Sequence, residues 1–546
     1  MRIAVVGGGP GGLFFATLIK QADCSVEVTV FERKRPDDTF GFGVVFSDRT
    51  LGIIEQADPS LSAAMAAQCR HWDAIEVRIK GERIRCRGNG MAAIVRRALL
   101  AVIQDRAREV GAELRFSTYA TLEDVAGYDL VVAADGTGSA IRESLKVDLG
   151  VETHTASAKF IWFGTDYLFD GLTFVHQDSP DGVFAVHGYP ISDSVSTFIV
   201  ETDENSWRRA GLDKFDTAQP PGPSDLVSKD YLQTLFADQI DGKQLLINNS
   251  RWGNFRTRRT QRWHTVEPRP IALLGDAVHT AHFSVGSGTK MAMEDAIALS
   301  QALTKYPDDL TAALAAYEAA AQPAVRKIQD SARPSLAWWE HFGLYHSVLE
   351  PWPFAYHFLS RSITEARLAK RDPEFVGAAH RSWVKHNGAE PLDTPFDHRG
   401  WRTAHRLVKV AAPNGTPLSV EGLPLNGPVG PGPWGIAVAA PDSEANLPVV
   451  DERLAALVTS SNPPIVVAVF GGTALTRTLV CERARPMVTG HAKAANEPGQ
   501  WTTLARILND SDHDTSPPQP ADLKICHDML RDIKKRHKVS TSADTQ

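Results

Sequence analysis

The sequence predicts an α/β fold organised on a parallel sheet, on three observations. Apolar strand-like runs end in glycine turns at three well-separated places: Arg2–Val6 before Gly7–Gly12, Tyr128–Ala134 before Asp135-Gly136, and Pro270–Leu274 before Gly275-Asp276. Helix-like segments follow these turns, which is the pattern of strand–turn–helix units. A second apolar run, Val26–Phe31, closes on Glu32, 20 residues after Gly12. Together the first strand, the glycine turn, the helix start and the acid are the Rossmann-like dinucleotide fingerprint in its required order.

Each part of the first motif has a physical task. Gly7 allows the tight turn, Gly9 lets the backbone approach a pyrophosphate, and Gly12 lets the helix pack close to the strand. Pro10 and Gly11 sit at the helix start, whose free N–H groups and positive dipole end suit phosphates. Glu32 can accept hydrogen bonds from a ribose diol, with Arg33 beside it.

Composition frames the class. The chain has 546 residues, 43% hydrophobic and 23% charged, with net charge −7. The sequence pI is about 6.2. Those values fit a globular enzyme with a large core and give no footprint for nucleic acid. The cysteines, Cys24, Cys69, Cys86, Cys481 and Cys526, form no CxxC pair. That argues against a zinc site or a redox disulfide and suits a reducing cytoplasm. The four-residue apolar run before Gly7 is too short for a signal peptide, and no apolar run approaches the ~18 residues of a membrane span. The expectation is a cytoplasmic protein with no membrane, metal or nucleic-acid partner.

The remaining chain divides by composition. Residues 331–390 are rich in helix formers and aromatics (Trp338, Trp339, Phe342, Tyr345, Trp352, Phe354, Tyr356) and read as a packed helical pair. From about Pro391 a proline- and glycine-rich run reads as irregular chain. Pro464–Gly472 reads as one buried strand and a turn without the rest of a dinucleotide fingerprint, and Lys534–Lys538 as a solvated tail. There are no internal repeats.

The three motifs, Gly7–Gly12 with Glu32-Arg33, Asp135–Arg142, and Gly275-Asp276, resemble the three signatures of the group A flavoprotein aromatic hydroxylases, which share the para-hydroxybenzoate hydroxylase fold. That resemblance implies a Rossmann-like FAD-binding domain with an inserted β-rich substrate domain, a helical segment and a small irregular C-terminal extension. It implies non-covalent FAD, with Arg96 near the FAD phosphates and ribityl chain and Asp135 in the second signature. Asp276, at a strand end, can reach a ribityl hydroxyl or a phosphate-bound water. The Gly286, Gly288, Thr289 and Lys290 backbone at a helix start can face the pyrimidine edge of the flavin. The chain departs from the family pattern twice: Phe283 stands where proline is usual, and Lys290 where asparagine is usual.

Those departures resemble one branch. His279–Ala296, Phe40–Ser47, Lys159–Thr165, Ser196–Thr202 and Ala369–Pro373 resemble the salicylyl-CoA 5-hydroxylase and 2-aminobenzoyl-CoA monooxygenase branch, over about residues 1–390. Violacein-type pigment hydroxylases share the His-Phe-Ser run, so the branch leaves the ring substrate open. In bifunctional members an Old-Yellow-Enzyme barrel follows. Arg406–Pro413 echoes the start of one, but about 140 residues remain against the ~250 of a barrel. The implied activity is ring hydroxylation: NADPH or NADH reduces the flavin, binding only transiently because no second fingerprint exists. O2 then forms a flavin C4a-hydroperoxide, which an electron-rich ring attacks. A small aromatic substrate, possibly a CoA thioester, is the expected partner.

The domain reading is residues 1–152 for the first part of the FAD-binding domain, with 71–89 joining the substrate sheet. Residues 153–264 form the substrate domain, 265–390 the second part of the FAD-binding domain with C-terminal helices, and 391–546 the extension. In the substrate domain either His187 or Tyr189 has the chemistry to orient or deprotonate a ring hydroxyl, though packing in the sheet explains both equally well. His279 and His282 lie in the flavin motif, and either can line the site. Arg251, Arg256, Arg258, Arg259 and Arg262 suit a phosphate dock for CoA or a solvated strand face. Two other readings stand beside this one: hydroxylation of an indole or polycyclic natural-product intermediate, and a flavoprotein reductase that does not use oxygen.

Overall fold

The fold is given by a computed structural model. It describes residues 1–489 apart from 40, 216–221, 284, 285, 287, 362, 392, 399, 406–409, 412–418, 429, 431, 460 and 461. Parts of the Phe40–Ser47, His279–Ala296 and Arg406–Pro413 strings, and all of Lys534–Lys538 and Cys526, therefore lie outside the described residues. The chain forms two compact units. One comprises residues 1–78 and 89–332, the other 79–88 and 333–546, so the boundary falls inside the 265–390 segment of the sequence reading.

The first unit is built on a sheet with strand order His264–Thr265, Ile271–Leu273, Leu130–Ala133, Arg2–Val6, Glu27–Phe31, Glu113–Arg115. All neighbours are parallel except the first pair. Arg2–Val6 lies at the middle, and its last four residues are buried. An unbroken run of Ile, Ala and Val suits a strand covered on both faces. Helix Pro10–Ala22 covers it, with Phe14 and Phe15 fully buried.

A second sheet in the same unit has the order Leu245–Leu246, Val151–Thr165, Ser196–Thr202, Gly182–Pro190, Leu172–Ser179, Ile75–Ile79, with Gly253–Thr260 on Val151–Thr165. Its long antiparallel strands alternate between two faces. One face buries Ile161, Phe163, Phe184, Val186, Phe198 and Val200 against Leu232 and Phe236. That apolar face fixes the register, and a slip of one residue would turn it outward. The opposite face is not a plain core.

Helix Leu310–Val348, 39 residues long, runs through Pro323 and Pro334. Three more helices follow, Pro351–Ser360, Glu365–Arg371 and Pro373–Asn387, where the sequence suggested a pair. Trp338 stacks at 6.0 Å on Phe342 and 5.6 Å on Tyr345, so these aromatics are packing. Beyond the short strands of the Pro/Gly-rich run, Gly435–Ala439 and Val466–Phe470 pair in parallel. Helices Leu447–Val458 and Ala474–Thr489 complete a small α/β layer with its own core. Among the described residues no helix is long and apolar enough to cross a membrane.

Candidate functional site

The glycines of the first turn divide into two kinds. A Cβ on Gly7, where φ is +115°, would lie 2.2 Å from the Ala134 carbonyl oxygen, and one on Gly12 would lie 2.3 Å from the Gly7 oxygen. One on Gly11 would meet the Leu274 side chain at 2.5 Å. These three are glycines because the protein is packed against them. Gly9 is different: a Cβ there meets nothing within 4 Å. Gly9 also caps helix Pro10–Ala22 with no side-chain hydrogen bond, so no side chain occupies the helix's free N–H groups.

Glu32 faces this turn. Its carboxylate accepts the Gly8 N–H at 2.7 Å and the Lys34 N–H at 2.8 Å. Each oxygen keeps a lone pair for a further donor. Arg33 beside it is exposed. Glu32→Ala removes a charged acceptor that also holds the turn. Such a bond is worth about 1.5–3 kcal/mol, so FAD affinity should fall roughly 10- to 150-fold. A dissociation constant equal to wild type, by titration of apoprotein, would sink the ribose role.

The second and third motifs are tied together. Asp135 accepts the Ile141 N–H at 3.2 Å through one oxygen, and its other oxygen is buried without a hydrogen-bond partner. Arg142 donates to the Ala277 carbonyl at 2.7 Å and to the Thr137 carbonyl at 3.3 Å, which clamps one turn to the other. Burial pushes the Asp276 carboxyl up, while His279, Arg96 and Arg258 pull it back. Asp295 holds the next turn, with His279 Nε2 at 2.7 Å and the Gly275 N–H at 3.0 Å. His279 is therefore engaged with Asp295 and packed 5.0 Å from Trp263. Gly286 has φ +61°, and Gly288, Thr289 and Lys290 open helix Gly288–Lys305, with Lys290 paired to Glu294 at 2.9 Å.

A dinucleotide fits these residues on two structural grounds. Among the described residues Gly9 borders open space, and two polar groups, Asp135 Oδ1 and Arg96 Nε, are buried without a hydrogen-bond partner. Arg96 starts helix Arg96–Glu109, and its guanidinium lies 6.0 Å from the Trp162 ring. Burial lowers its pKa, and Tyr189 and Asp276 raise it.

The polar face of the second sheet lies beside this region. Cross-strand register puts Trp162 opposite Ile199, Ile199 opposite His187, and His187 opposite Phe174. Phe160 is opposite Glu201 and Tyr189 opposite Thr197, so period-2 alternation places all of them on one face. Phe283, from the loop after the third motif, meets this face. Its ring lies 5.0 Å from Phe160, 6.0 Å from Trp162, 5.5 Å from His187, 6.0 Å from Phe255 and 4.2 Å from His282. Phe160, Trp162, Phe255 and Phe283 are each only half-buried. A group of half-buried aromatic rings is a surface for a flat apolar ligand, not a closed core.

Glu201, which sequence reasoning missed, organises the histidines. His187 Nε2 lies 2.7 Å from one of its oxygens and His282 Nε2 3.2 Å from the other, and all three residues are buried. Burial raises the Glu201 pKa, but the His282 and His187 charges and hydrogen bonds bring it down to about 2. The signal was present: Glu201 is the one carboxylate in Ser196–Thr202, a strand buried at all seven positions. Tyr189 sits elsewhere on the face, stacked on Trp72 at 6.2 Å with its hydroxyl 3.5 Å from the Gly43 carbonyl. Burial raises its pKa more than Thr197 and Arg96 lower it. It is therefore a hydrogen-bond donor and not a base.

The arginines of strand Gly253–Thr260 do not share one face. On strand Gly253–Thr260, Arg256 is exposed, Arg258 donates to the Asp276 carbonyl at 3.1 Å, and Arg259 pairs with Asp330 at 2.8 Å. Alternation puts Arg259 on the face opposite Arg256 and Arg258.

Residues 1–332 match the FAD binding domain family. A salicyloyl-CoA 5-hydroxylase from a Streptomyces species is 53% identical over 494 residues, covering 89% of this chain and 93% of the relative. A 3-hydroxy-4-methyl-anthranilyl-(aryl-carrier protein) 5-monooxygenase from Streptosporangium sibiricum is 35% identical, covering 62% of this chain and 89% of the relative. A protodeoxyviolaceinate monooxygenase from Chromobacterium violaceum is 32% identical over similar shares, 62% and 89%.

Proposed function

Because the chain belongs to the FAD binding domain family and is an FAD-dependent aromatic monooxygenase, we propose that it hydroxylates the ring of an aryl-CoA thioester such as salicylyl-CoA or 2-aminobenzoyl-CoA. The observation that carries the thioester is the 53% identity, over 93% of its length, to a relative named for salicyloyl-CoA. The half-buried rings of Phe160, Trp162, Phe255 and Phe283 supply the surface for the aromatic part.

In this reading the helix start at Gly9, Pro10 and Gly11 holds the pyrophosphate and Glu32 the ribose. Asp276 and Arg96 flank the ribityl–phosphate region, Asp135 braces it, and Gly286–Lys290 faces the pyrimidine edge. When bound, FAD supplies the redox and oxygen chemistry, with electrons from NAD(P)H and oxygen from O2. The protein's part is to stack the ring, exclude water and manage a proton. The ring is the nucleophile, so an electron-donating hydroxyl or amino group must offset the withdrawing thioester carbonyl. Tyr189, whose hydroxyl is turned to the Gly43 carbonyl, takes no part in the proton step, and His187 and His282 are the groups able to accept a proton.

Two measurements test this. Denaturing the yellow protein should release FAD into the supernatant, whereas FMN, or flavin that stays with the precipitated chain, would contradict non-covalent FAD. Substrate-stimulated NAD(P)H oxidation is then compared for salicylate and salicylyl-CoA. The thioester product should gain the mass of one oxygen atom. Turnover of the free acid or of an indole, with the thioester ignored, would overturn the CoA reading.

A further inference from the structure

We propose that Glu201 is a positioning residue that makes His187 and His282 a buried proton store for the hydroxyl of the bound ring. The proposal rests on the aromatic hydroxylation argued above and names what that site does with the substrate's own proton.

The geometry carries it. Glu201 turns one oxygen toward each imidazole, at ion-pair distances of 2.7 Å and 3.2 Å. Its charge therefore acts on both rings at once. Both rings also touch Phe283, His187 at 5.5 Å and His282 at 4.2 Å, and Phe283 is central to the half-buried aromatic group. The three ionisable groups are 4%, 1% and 2% exposed for His187, Glu201 and His282, in a sheet whose other face buries Ile161, Phe163, Phe184, Val186, Phe198 and Val200. A packed sheet has no structural need for such a group, since an apolar replacement of similar volume is commonly neutral or stabilising. On the surrounding elements, alternation puts His176 of Leu172–Ser179 and Tyr189 of the His187 strand on this face, with Arg96 at its helix start; the neighbouring strands also carry Glu152, His154, Lys159, Asp178, Arg256, Arg258 and Arg259. Strand Gly253–Thr260 presents Phe255 to His282. An ionised Glu201 within ion-pair distance of both rings offsets the positive charge that an imidazole takes up there.

The step is a proton transfer. The ring O–H bond breaks, the proton goes to an imidazole nitrogen, and the electron pair stays on oxygen. The phenolate so formed enriches the carbon para to it, where an electrophilic oxygen adds. The imidazolium is balanced by Glu201 until the proton is returned.

The test is Glu201→Gln, which keeps the shape and removes the charge, on FAD-loaded protein. The absorbance of bound salicylyl-CoA and the pH profile of kcat are measured. Wild type should bind the ligand as phenolate at neutral pH. Glu201→Gln should raise the apparent pKa of the bound hydroxyl and of the acid limb of kcat by about one unit, a tenfold change, with KM nearly unchanged. The 2-methoxybenzoyl thioester has no proton to give, so its affinity should be equal in both proteins, which a merely structural role would not predict. Glu201→Asp, which restores the charge, should restore the wild-type profile, and it also serves if Glu201→Gln does not fold. Superimposable profiles for wild type and Glu201→Gln would overturn this inference alone. Absence of turnover of any hydroxylated aromatic by wild type would overturn the functional reading and this inference with it.

Discussion

Gly9→Ala should leave the apoprotein folded and strip it of FAD. The backbone at Gly9 has φ −77°, ψ 175°, which alanine adopts freely, and the new Cβ meets no protein atom within 4 Å. The apo melting temperature should therefore equal that of wild-type apoprotein. The methyl enters the space over which the pyrophosphate must approach the helix N-terminus. Overpacking of that kind costs about 1–3 kcal/mol, or roughly 5- to 150-fold in affinity. Gly7→Ala makes the contrast. There φ is +115° and the Cβ would lie 2.2 Å from the Ala134 oxygen, so strain and collision act in the protein itself. Backbone strain adds about 1–3 kcal/mol to the cost of the clash. Gly7→Ala should lose both fold stability and FAD, read by apo melting and by flavin content per chain. Equal FAD retention in Gly9→Ala and wild type would mean that the phosphates do not pass there.

The difference between those glycines also shows what a sequence discloses. The three strand–turn–helix motifs are local: each task is performed by residues within about a dozen positions, so the first sheet and the cofactor-facing turns were readable. The substrate face is assembled by register. Trp162, Ile199 and His187 become neighbours only once three strands are paired, and nothing in any one strand states its partner. His187 and His282 are readable as chemistry-bearing residues, but Glu201, which lies between them, sits in a strand, Ser196–Thr202, that reads as packing. His279 and His282 looked equivalent in sequence. The turn at Gly275–Ala277 sends the first to Asp295 and the second to Glu201. The arginine cluster reads in sequence as a phosphate dock or a solvated strand face, and strand alternation sets Arg259 apart from Arg256 and Arg258. Pro323 and Pro334 argue for helix breaks by the lost hydrogen bond and the ring clash, yet the helix Leu310–Val348 runs through both. The strand Val466–Phe470 was legible as an apolar run, while its parallel partner Gly435–Ala439 was hidden among prolines and glycines.

Glu201→Ala should be among the most destabilising single substitutions in the substrate sheet. The carboxylate is 1% exposed and lies at ion-pair distance from two buried imidazoles, so its removal takes the counter-charge from both. Removing one partner of a buried ion pair costs about 3–5 kcal/mol. For a unit of this size that is a fall in melting temperature on the order of 10 °C. The pH dependence has a definite sign. The folded pKa of Glu201, about 2, lies below the ordinary 4.5 because the nearby His282 and His187 outweigh burial. A depressed carboxyl pKa contributes stability that is complete above about 4.5 and is lost as pH falls toward 2. The stability gap between wild type and Glu201→Ala should therefore be widest near neutral pH and narrow on acidification through that window. Equilibrium denaturation at several pH values measures it. A gap that is absent at pH 7, or that widens as the pH drops below 4.5, would show that the carboxylate is not the ionised partner of the two histidines.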